Sequence, residues 1–597
     1  MARTAYEEAI VGTFRVNALR TAHLIDDEFP TYADLAAKDD AKATFKQWSL
    51  AKDLYEHFGA HHMPCDVANT ITDIAKDVEG IRKSDLIVLD YNLQPNDTRT
   101  SVGLVRSLAR TDHFNTIIVY THAEDLRLVW LSFAAALRGD WQSRSAEDDE
   151  LEGLEDDGLE LDVPSSEMIA DYISNRSLAV HHPIQWTAWG EAFAQAGVHK
   201  ERRTALLSAR IRREVRSMLA DDRDSLEATF ASTEGQCRAD RPLWLQSGNC
   251  FVTIVGKPIE SERAVEPAKL FDALDDALCD WRPNLLQLII SEIQNTLESG
   301  ALATHELHLR DPQTQVSLCY FLLMALTGHE PPREALDAPI HAVLDKLVEG
   351  VRQRLVTDPK LSRLGGDLLD GELKRLALPD YGTDLDGKGA SRRRQGLFEH
   401  AKKMAAVDTA FDSQQALLKL NAFMSSEAFR GQLTTGTVFE SEGCHWICMT
   451  PACDLVDRPP SKGQHWMKML HPMKPVVAVR LDPKDPKSAL KDAEHSRSLF
   501  LSTSSGVVAF DVLPDNAGPS YEFIYVQGGS LAVAEGGHQF NGYRLWRADE
   551  DKALPTALLP VTFTIVGQVR PDYASRFLQQ TGAWLSRIGV DFLRSAN

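Results

Sequence analysis

Asp26 and Asp27 follow His23-Leu24-Ile25, and Asp90 closes the run Leu86-Ile87-Val88-Leu89. Each acid stands where an apolar strand should end. In an open α/β sheet, ligands bind beyond the carboxyl ends of the strands, near the point where strand order reverses. Carboxylates gathered there repel one another unless a cation sits between them. Oxygen ligands favour a hard ion, and Mg²⁺ suits a partly hydrated site with few protein ligands. Thr121 ends another apolar run, TIIVYT, with a hydroxyl placed to donate to a group carried on Asp90. Lys257 ends FVTIVGK ahead of Pro258, and an ammonium at that edge pairs with carboxylate or phosphoryl charge. Strands commonly end in polar residues, and a lone threonine or lysine there says little. The set informs where its members do not.

The elements that must carry these residues alternate. A helix over about residues 4–16 leads into a short strand ending in AHLIDDEFP. A helix from Ser49 to Phe58, a strand near His61 to Val67 and a helix from Thr70 to Val78 follow. SDLIVLDYNL, a helix from Gly103 to Arg110, and TIIVYT come next; CFVTIVGKP and the amphipathic PAKLFDALDDALCDW resume the pattern much later. Continuous apolar runs separated by helices read as buried parallel strands covered on both faces. Their alternation with helices predicts a doubly wound α/β sheet.

In this order the residues resemble the response-regulator receiver family of two-component signalling. That family's pattern is an acidic pair after the first strand, a phosphoacceptor aspartate after the third, a hydroxyl after the fourth and Lys-Pro after the fifth. Asp26 and Asp27, Asp90, Thr121, and Lys257 with Pro258 stand in those places. Gly103 resembles the glycine that opens the helix after the phosphorylation loop. The resemblance covers residues 18–283 with one large interruption. It implies a five-stranded parallel receiver-like sheet and transfer of a phosphoryl group from a partner histidine kinase to Asp90. It further implies Mg²⁺ held by Asp26, Asp27, Asp90 and the Asn92 backbone carbonyl, with Thr121 and Lys257 binding the phosphoryl oxygens. Most of the catalysis would then be electrostatic positioning.

The chain departs from that pattern in three places. Between Thr121 and Lys257 lie 135 residues where the family has one short helix, so residues 123–245 read as an insertion. Its run from Glu147 to Asp162 holds ten acids and no base, which predicts a solvated loop. The basic run Arg202 to Arg216 predicts a solvated helix face paired with that loop. Extra residues also fall near Ala33 to Trp48, and Ile254 stands where the family often has a switching aromatic. The usual output surface is therefore expected to be rebuilt.

Three domains are expected: residues 1–285 receiver-like, 286–425 all-α, and 426–597 β-rich with a terminal helix. The middle one rests on the helical spacing of LLQLIISEIQNTL and HAVLDKLVEGVRQRL. The last rests on TGTVF, HWICMT, KPVVAVRL, SLFLST, GVVAFDVL, YEFIYV and PVTFTIVGQV. There CHWICMTPACDLVDRPP gathers Cys444, Cys448 and Cys453, with histidines at 445, 465 and 471. A zinc site is one reading; if Cys444 to Cys448 is a strand, however, its two sulfurs lie roughly 13 Å apart at about 3.3 Å per residue and could share a metal only if the chain turns between them, and no CxxC pair is present. Cys453 beside Asp454 is a candidate nucleophile, and a buried structural cysteine is the plainer reading. TPACDL resembles a motif of small β-barrel-like modules in bacterial multidomain proteins.

The net charge of −22 argues against broad nucleic-acid binding, and no P-loop or helix-turn-helix is recognisable. Eight cysteines in 597 residues do not make a disulfide framework. No apolar run is long enough to span a membrane and no signal-peptide block opens the chain, so a cytoplasmic location is expected. The expected function is a phosphorylation-dependent signalling component or phosphate sink. Its partners would be a histidine kinase and a downstream effector, with a homodimer left open. No enzymatic activity is expected beyond the receiver's own phosphorylation chemistry. Receivers of this size without DNA-binding output resemble components of bacterial anti-phage two-component systems such as Detocs. The alternatives are a receiver-derived scaffold that takes no phosphate, and an enzyme with its active site near Cys453.

Overall fold

The computed structural model describes residues 3–298 except 38–43, 94–97, 140, 142–144, 175, 219–232, 239 and 258–265. It also describes scattered positions between 312 and 374. Beyond these it describes 388–586 except 406–411, 428, 430–432, 456–469, 471–472, 492, 494–497, 504–505, 513–518, 528–532, 535–536 and 548–554. The chain divides into two compact units, Met1–Ser299 with Thr357–Arg375, and Gly300–Val356 with Leu376–Asn597.

In the first unit, α1 (Ala5–Val11) continues as a π-helical turn, Gly12–Val16, and leads into β1 (Ala22–Ile25). Then come α2 (Trp48–Ala60), β2 (Cys65–Ala68), α3 (Ile74–Ile81), β3 (Leu86–Leu89), α4 (Arg99–Leu108) and β4 (Asn115–Thr121). The interrupting segment supplies α5 (Leu126–Arg138), α6 (Ala146–Asp156), α7 (Ser166–Ile173), α8 (Pro183–Gln195), α9 (Lys200–Met218), β5 (Thr233–Gln236) and β6 (Trp244–Ser247). β7 (Cys250–Gly256), α10 (Glu266–Trp281) and α11 (Leu285–Thr296) close the unit.

The strands lie in the order β2-β1-β3-β4-β7-β6-β5. The first five are mutually parallel, as expected. The expected five-stranded sheet is corrected to seven strands of mixed direction, because β5 and β6 form an antiparallel hairpin added beside β7. A strand edge left open offers unpaired backbone groups, and the insertion's own hairpin covers the one β7 would present. Every residue of β3 and β4 is buried. One face packs under α3, α4 and the insertion helices, with Val105, Trp130, Phe133 and Phe193 fully buried. The other packs under α1, α2, α10 and α11, through Ile10, Leu54, Phe58, Leu274 and Leu288.

The acidic run expected to be a loop is helical from Ala146 to Asp156. Ser145 N–H donates to Asp148 Oδ2 at 2.8 Å, Leu151 is fully buried, and the negative face meets the arginines of α9. Arg216 reaches Asp148 at 2.5 Å and Arg202 reaches Glu150 at 2.6 Å, while Arg213 pairs with Glu155. Burial pushes the Asp148 carboxyl up, and hydrogen bonds from Arg216 and Ser145 outweigh it and hold it below its ordinary range. Charge that would unfold an isolated acidic segment is neutralised by a helix some sixty residues later.

Most of the 286–425 region expected to be all-α lies outside the described residues. Within it, α11 packs into the first unit: the Asn295 amide donates to the Thr13 carbonyl at 2.8 Å, and Asn17 donates to Glu292 at 3.2 Å. α12 (Ser413–Ser425) is capped by Asp412, whose side chain accepts from Gln415 N–H, and packs in the second unit.

The second unit's strands are β8 (Ser426–Glu427), β9 (Thr437–Ser441), β10 (Cys444–Cys448), β11 (Met473–Lys484), β12 (Ser498–Thr503), β13 (Gly506–Asp511), β14 (Tyr521–Gln527), β15 (Val533–Ala534), β16 (Gly537–Arg547) and β17 (Pro555–Val569). Strands β10, β9, β17, β16, β14 and β11 pair in turn, and β11 pairs again with β10. The ring closes into a six-stranded barrel. Its interior is filled by Phe439, Trp446, Phe540 and Phe563. A second cluster lies under β12, β13 and α13 (Pro571–Leu585). Gly436 has φ +87°, and a side chain there would meet Ala574 Cβ at 2.7 Å, so only glycine lets the β9 turn sit against α13.

Candidate functional site

The carboxyl ends of β1, β3, β4 and β7 meet at one edge of the first sheet. Register puts Ile25 beside Leu89, Leu89 beside Val119, and Thr121 beside Gly256. The residues that follow each strand therefore converge. Asp90 N–H donates to the Ile25 carbonyl at 2.8 Å, and Lys257 N–H donates to the Thr121 carbonyl at 2.7 Å. The ladder thus continues one step past the strands and fixes the backbone of both residues.

Asp26, Asp27 and Asp90 each offer a carboxylate oxygen within 4.8 Å of the others. Among the described residues this is the group of acids, histidines or cysteines close enough to hold a metal ion. Lys257 Nζ lies 2.8 Å from Asp26 Oδ2 and 3.2 Å from Asp90 Oδ1, with its side chain 1% exposed. The lysine arrives from beyond the whole insertion. The insertion therefore leaves and re-enters without displacing the fifth parallel strand.

Burial dominates the electrostatics. It raises the Asp90 carboxyl from 3.8 to about 7, with Lys257 working against the rise and Asp26 and Asp27 adding to it. Burial likewise raises Asp27, and the neighbouring Asp26 and Glu28 push the same way. For Lys257, burial favours the neutral amine, but Asp26 and Asp90 together outweigh it and raise its pKa. Three carboxylates face one ammonium, so the fully ionised cluster is short of positive charge. The all-oxygen donor set and that deficit fit a hard divalent cation such as Mg²⁺.

Thr121 is fully buried, and its hydroxyl accepts the Ala123 N–H at 3.2 Å. Tyr91, next to Asp90, donates its hydroxyl to Ser132 of α5 at 3.1 Å. Its carbonyl accepts from Ser101 at 2.6 Å, which ties the residue after Asp90 to the first turns of α4. Gly103 lies in that helix, where an added side chain would meet Ile74 at 3.0 Å. Asn92 follows Tyr91 and is partly buried.

Residues near the acids that sequence reasoning left out come from the extra segment before α2. Phe45 lines a cavity with Asp27, and the Gln47 amide lies 3.4 Å from the ring nitrogen of His122. The unusual spacing between Asp27 and Asp90 was the signal for them, but no motif marked the individual side chains.

Among the described residues, the candidates of the second unit gather no comparable group. Cys444 and Cys448 are the two ends of strand β10, and burial pushes the Cys448 thiol up to about 12. Asp454 is exposed on a short helix, Ala452–Leu455. His465, His471 and the Cys453 side chain lie outside the described residues. No helix among the described residues is long and apolar enough to cross a membrane.

A family model described as a response receiver domain matches residues 18–168, a span that includes Asp26, Asp27, Asp90 and Thr121 and ends before Lys257. No curated protein and no solved structure matches the chain significantly.

Proposed function

Residues 18–168 belong to the response receiver family, and on that premise we propose that Asp90 accepts a phosphoryl group from a phosphohistidine on a partner kinase. The observation that carries this reading is the Lys257 ammonium, 2.8 Å from Asp26 and 3.2 Å from Asp90 although 167 positions separate Lys257 from Asp90. A cation held between one acid of the pair, Asp26, and the third carboxylate, Asp90, is the arrangement a phosphoaspartate needs.

Asp90 Oδ attacks phosphorus as the phosphorus–nitrogen bond of the donor breaks, the electron pair leaving with nitrogen. Lys257 and the Thr121 hydroxyl receive the transferred oxygens, and Thr121 can turn to them by releasing the Ala123 N–H. Asp26, Asp27, Asp90 and the Asn92 carbonyl would hold Mg²⁺. When bound, the ion neutralises charge on the transferring group. The phosphate then carries a signal or is stored as a sink. Its output passes through a surface that the insertion has rebuilt, because α5 and the β5–β6 hairpin lie against β7.

Incubation with a radiolabelled small phosphodonor tests the proposal. Label that requires Mg²⁺ and disappears in Asp90→Ala is expected. A native protein that never labels would favour the interaction-scaffold reading instead.

A further inference from the structure

Gln47 belongs to the extra segment before α2, and it reaches in two directions. Its backbone N–H donates to the Glu28 carbonyl at 3.3 Å, and its side-chain amide nitrogen lies 3.4 Å from Nε2 of His122. Glu28 follows the acid pair at the end of β1, and His122 follows Thr121 at the end of β4. In the sheet, β3 lies between those two strands. Neighbouring strands stand about 4.8 Å apart, so the link from Glu28 to His122 spans roughly 10 Å and crosses the end of β3. Asp90 is the residue that stands there.

Side-chain alternation puts the link on the face that Asp90 uses. Leu24, Val88 and Tyr120 all pack in the core under α2. Two residues on, Asp26, Asp90 and His122 return to that face. Gln47 stands at the start of α2, the helix that covers it. We infer that Gln47 and His122 form a cover across Asp90 that sets how long a phosphoaspartate survives. The inference rests on the phosphoacceptor reading of Asp90 and adds a control on its lifetime.

A cover agrees with how closed the site is. Asp90 is 8% exposed and Thr121 is fully buried, although both stand at the sheet edge from which a ligand must reach them. The β1 end of the link is pinned, because Phe29 is buried and Glu28 N–H donates to Asp26 Oδ1 at 2.9 Å. Its other end is the contact between the Gln47 and His122 side chains, and His122 is exposed. That end parts more readily than the pinned one. Hydrolysis needs a water in line with the bond to Asp90, on the side that the link crosses. The water oxygen bonds to phosphorus, the phosphorus–oxygen bond to Asp90 breaks, and the carboxylate keeps the electron pair. Phosphate leaves with the water's hydroxyl, and the second proton passes to solvent. A closed cover denies that water its approach.

Radiolabelled phosphoramidate with Mg²⁺ loads the full-length chain, the donor is removed, and loss of label from the protein is timed. His122→Ala and Gln47→Ala should each shorten the half-life roughly fivefold, the change in open fraction that one lost hydrogen bond makes. The double variant should lose label no faster than either alone, because each substitution breaks the same contact. His122 is exposed, so its truncation leaves the fold intact. Half-lives that are unchanged or lengthened, or effects that multiply in the double variant, overturn the cover while leaving Asp90 its phosphate. If the unsubstituted protein takes no label, the phosphoacceptor reading itself fails and the cover falls with it.

Discussion

Asp90 carries its proton up to about 7 because it is buried, and the cost of its charge is only partly offset by Lys257. In the unfolded chain the same carboxyl ionises near 3.8. Between these values the folded protein binds more protons than the unfolded one, so the Asp90 contribution to metal-free stability falls as pH rises. It is fully present below about 4 and lost above about 7. Urea unfolding in EDTA at several pH values, for the native protein and Asp90→Asn, measures it. The native protein should lose stability relative to Asp90→Asn as pH rises through that window; a difference independent of pH would contradict this. At this scale the sequence was legible where an acid or lysine ended an apolar run, as at Asp26, Asp90 and Lys257. Phe45 and Gln47 were not legible, since their approach to the site depends on how an irregular segment folds back.

The elements of the insertion pack through a large apolar cluster, and ion pairs join α6 to α9. Arg216 holds Asp148, which is only 3% exposed, at 2.5 Å. Removing one partner of a buried pair strands the other's charge, so Arg216→Met should cost roughly 3 kcal/mol of stability. Urea unfolding measures the loss, and hydrogen exchange should speed first in α6 and α9. A loss below about 0.5 kcal/mol would place the pair among surface bridges of little worth. Composition alone misread α6 as a loop, because its counter-charges lie far along the chain and its apolar positions are few. β5 (TEGQ) and β6 (WLQS) escaped for a related reason. They are four residues each, without the continuous apolar run that marked β3 and β4.

Over the whole molecule, two compact units imply that a ligand of one stabilises its own core first. Mg²⁺ at about a hundredfold over its dissociation constant should stabilise the receiver unit by roughly 2.7 kcal/mol. Hydrogen exchange should then slow in β1, β3 and β4 and stay constant in the barrel strands; equal slowing in both units, or none, would count against a metal at the acids. The barrel's strands could be read from TGTVF or PVTFTIVGQV, but their pattern did not give closure, which depends on β11 pairing with β10 as well as β14; only the resemblance of TPACDL to a motif of β-barrel-like modules pointed to it. The central claim remains that one side chain takes phosphate. Intact-mass spectrometry after treatment with a small phosphodonor and Mg²⁺, followed by peptide mapping, tests it most directly. A single phosphoryl adduct on the peptide containing Asp90, absent in Asp90→Asn, is predicted. An adduct that persists in Asp90→Asn, or maps to another residue, would contradict it.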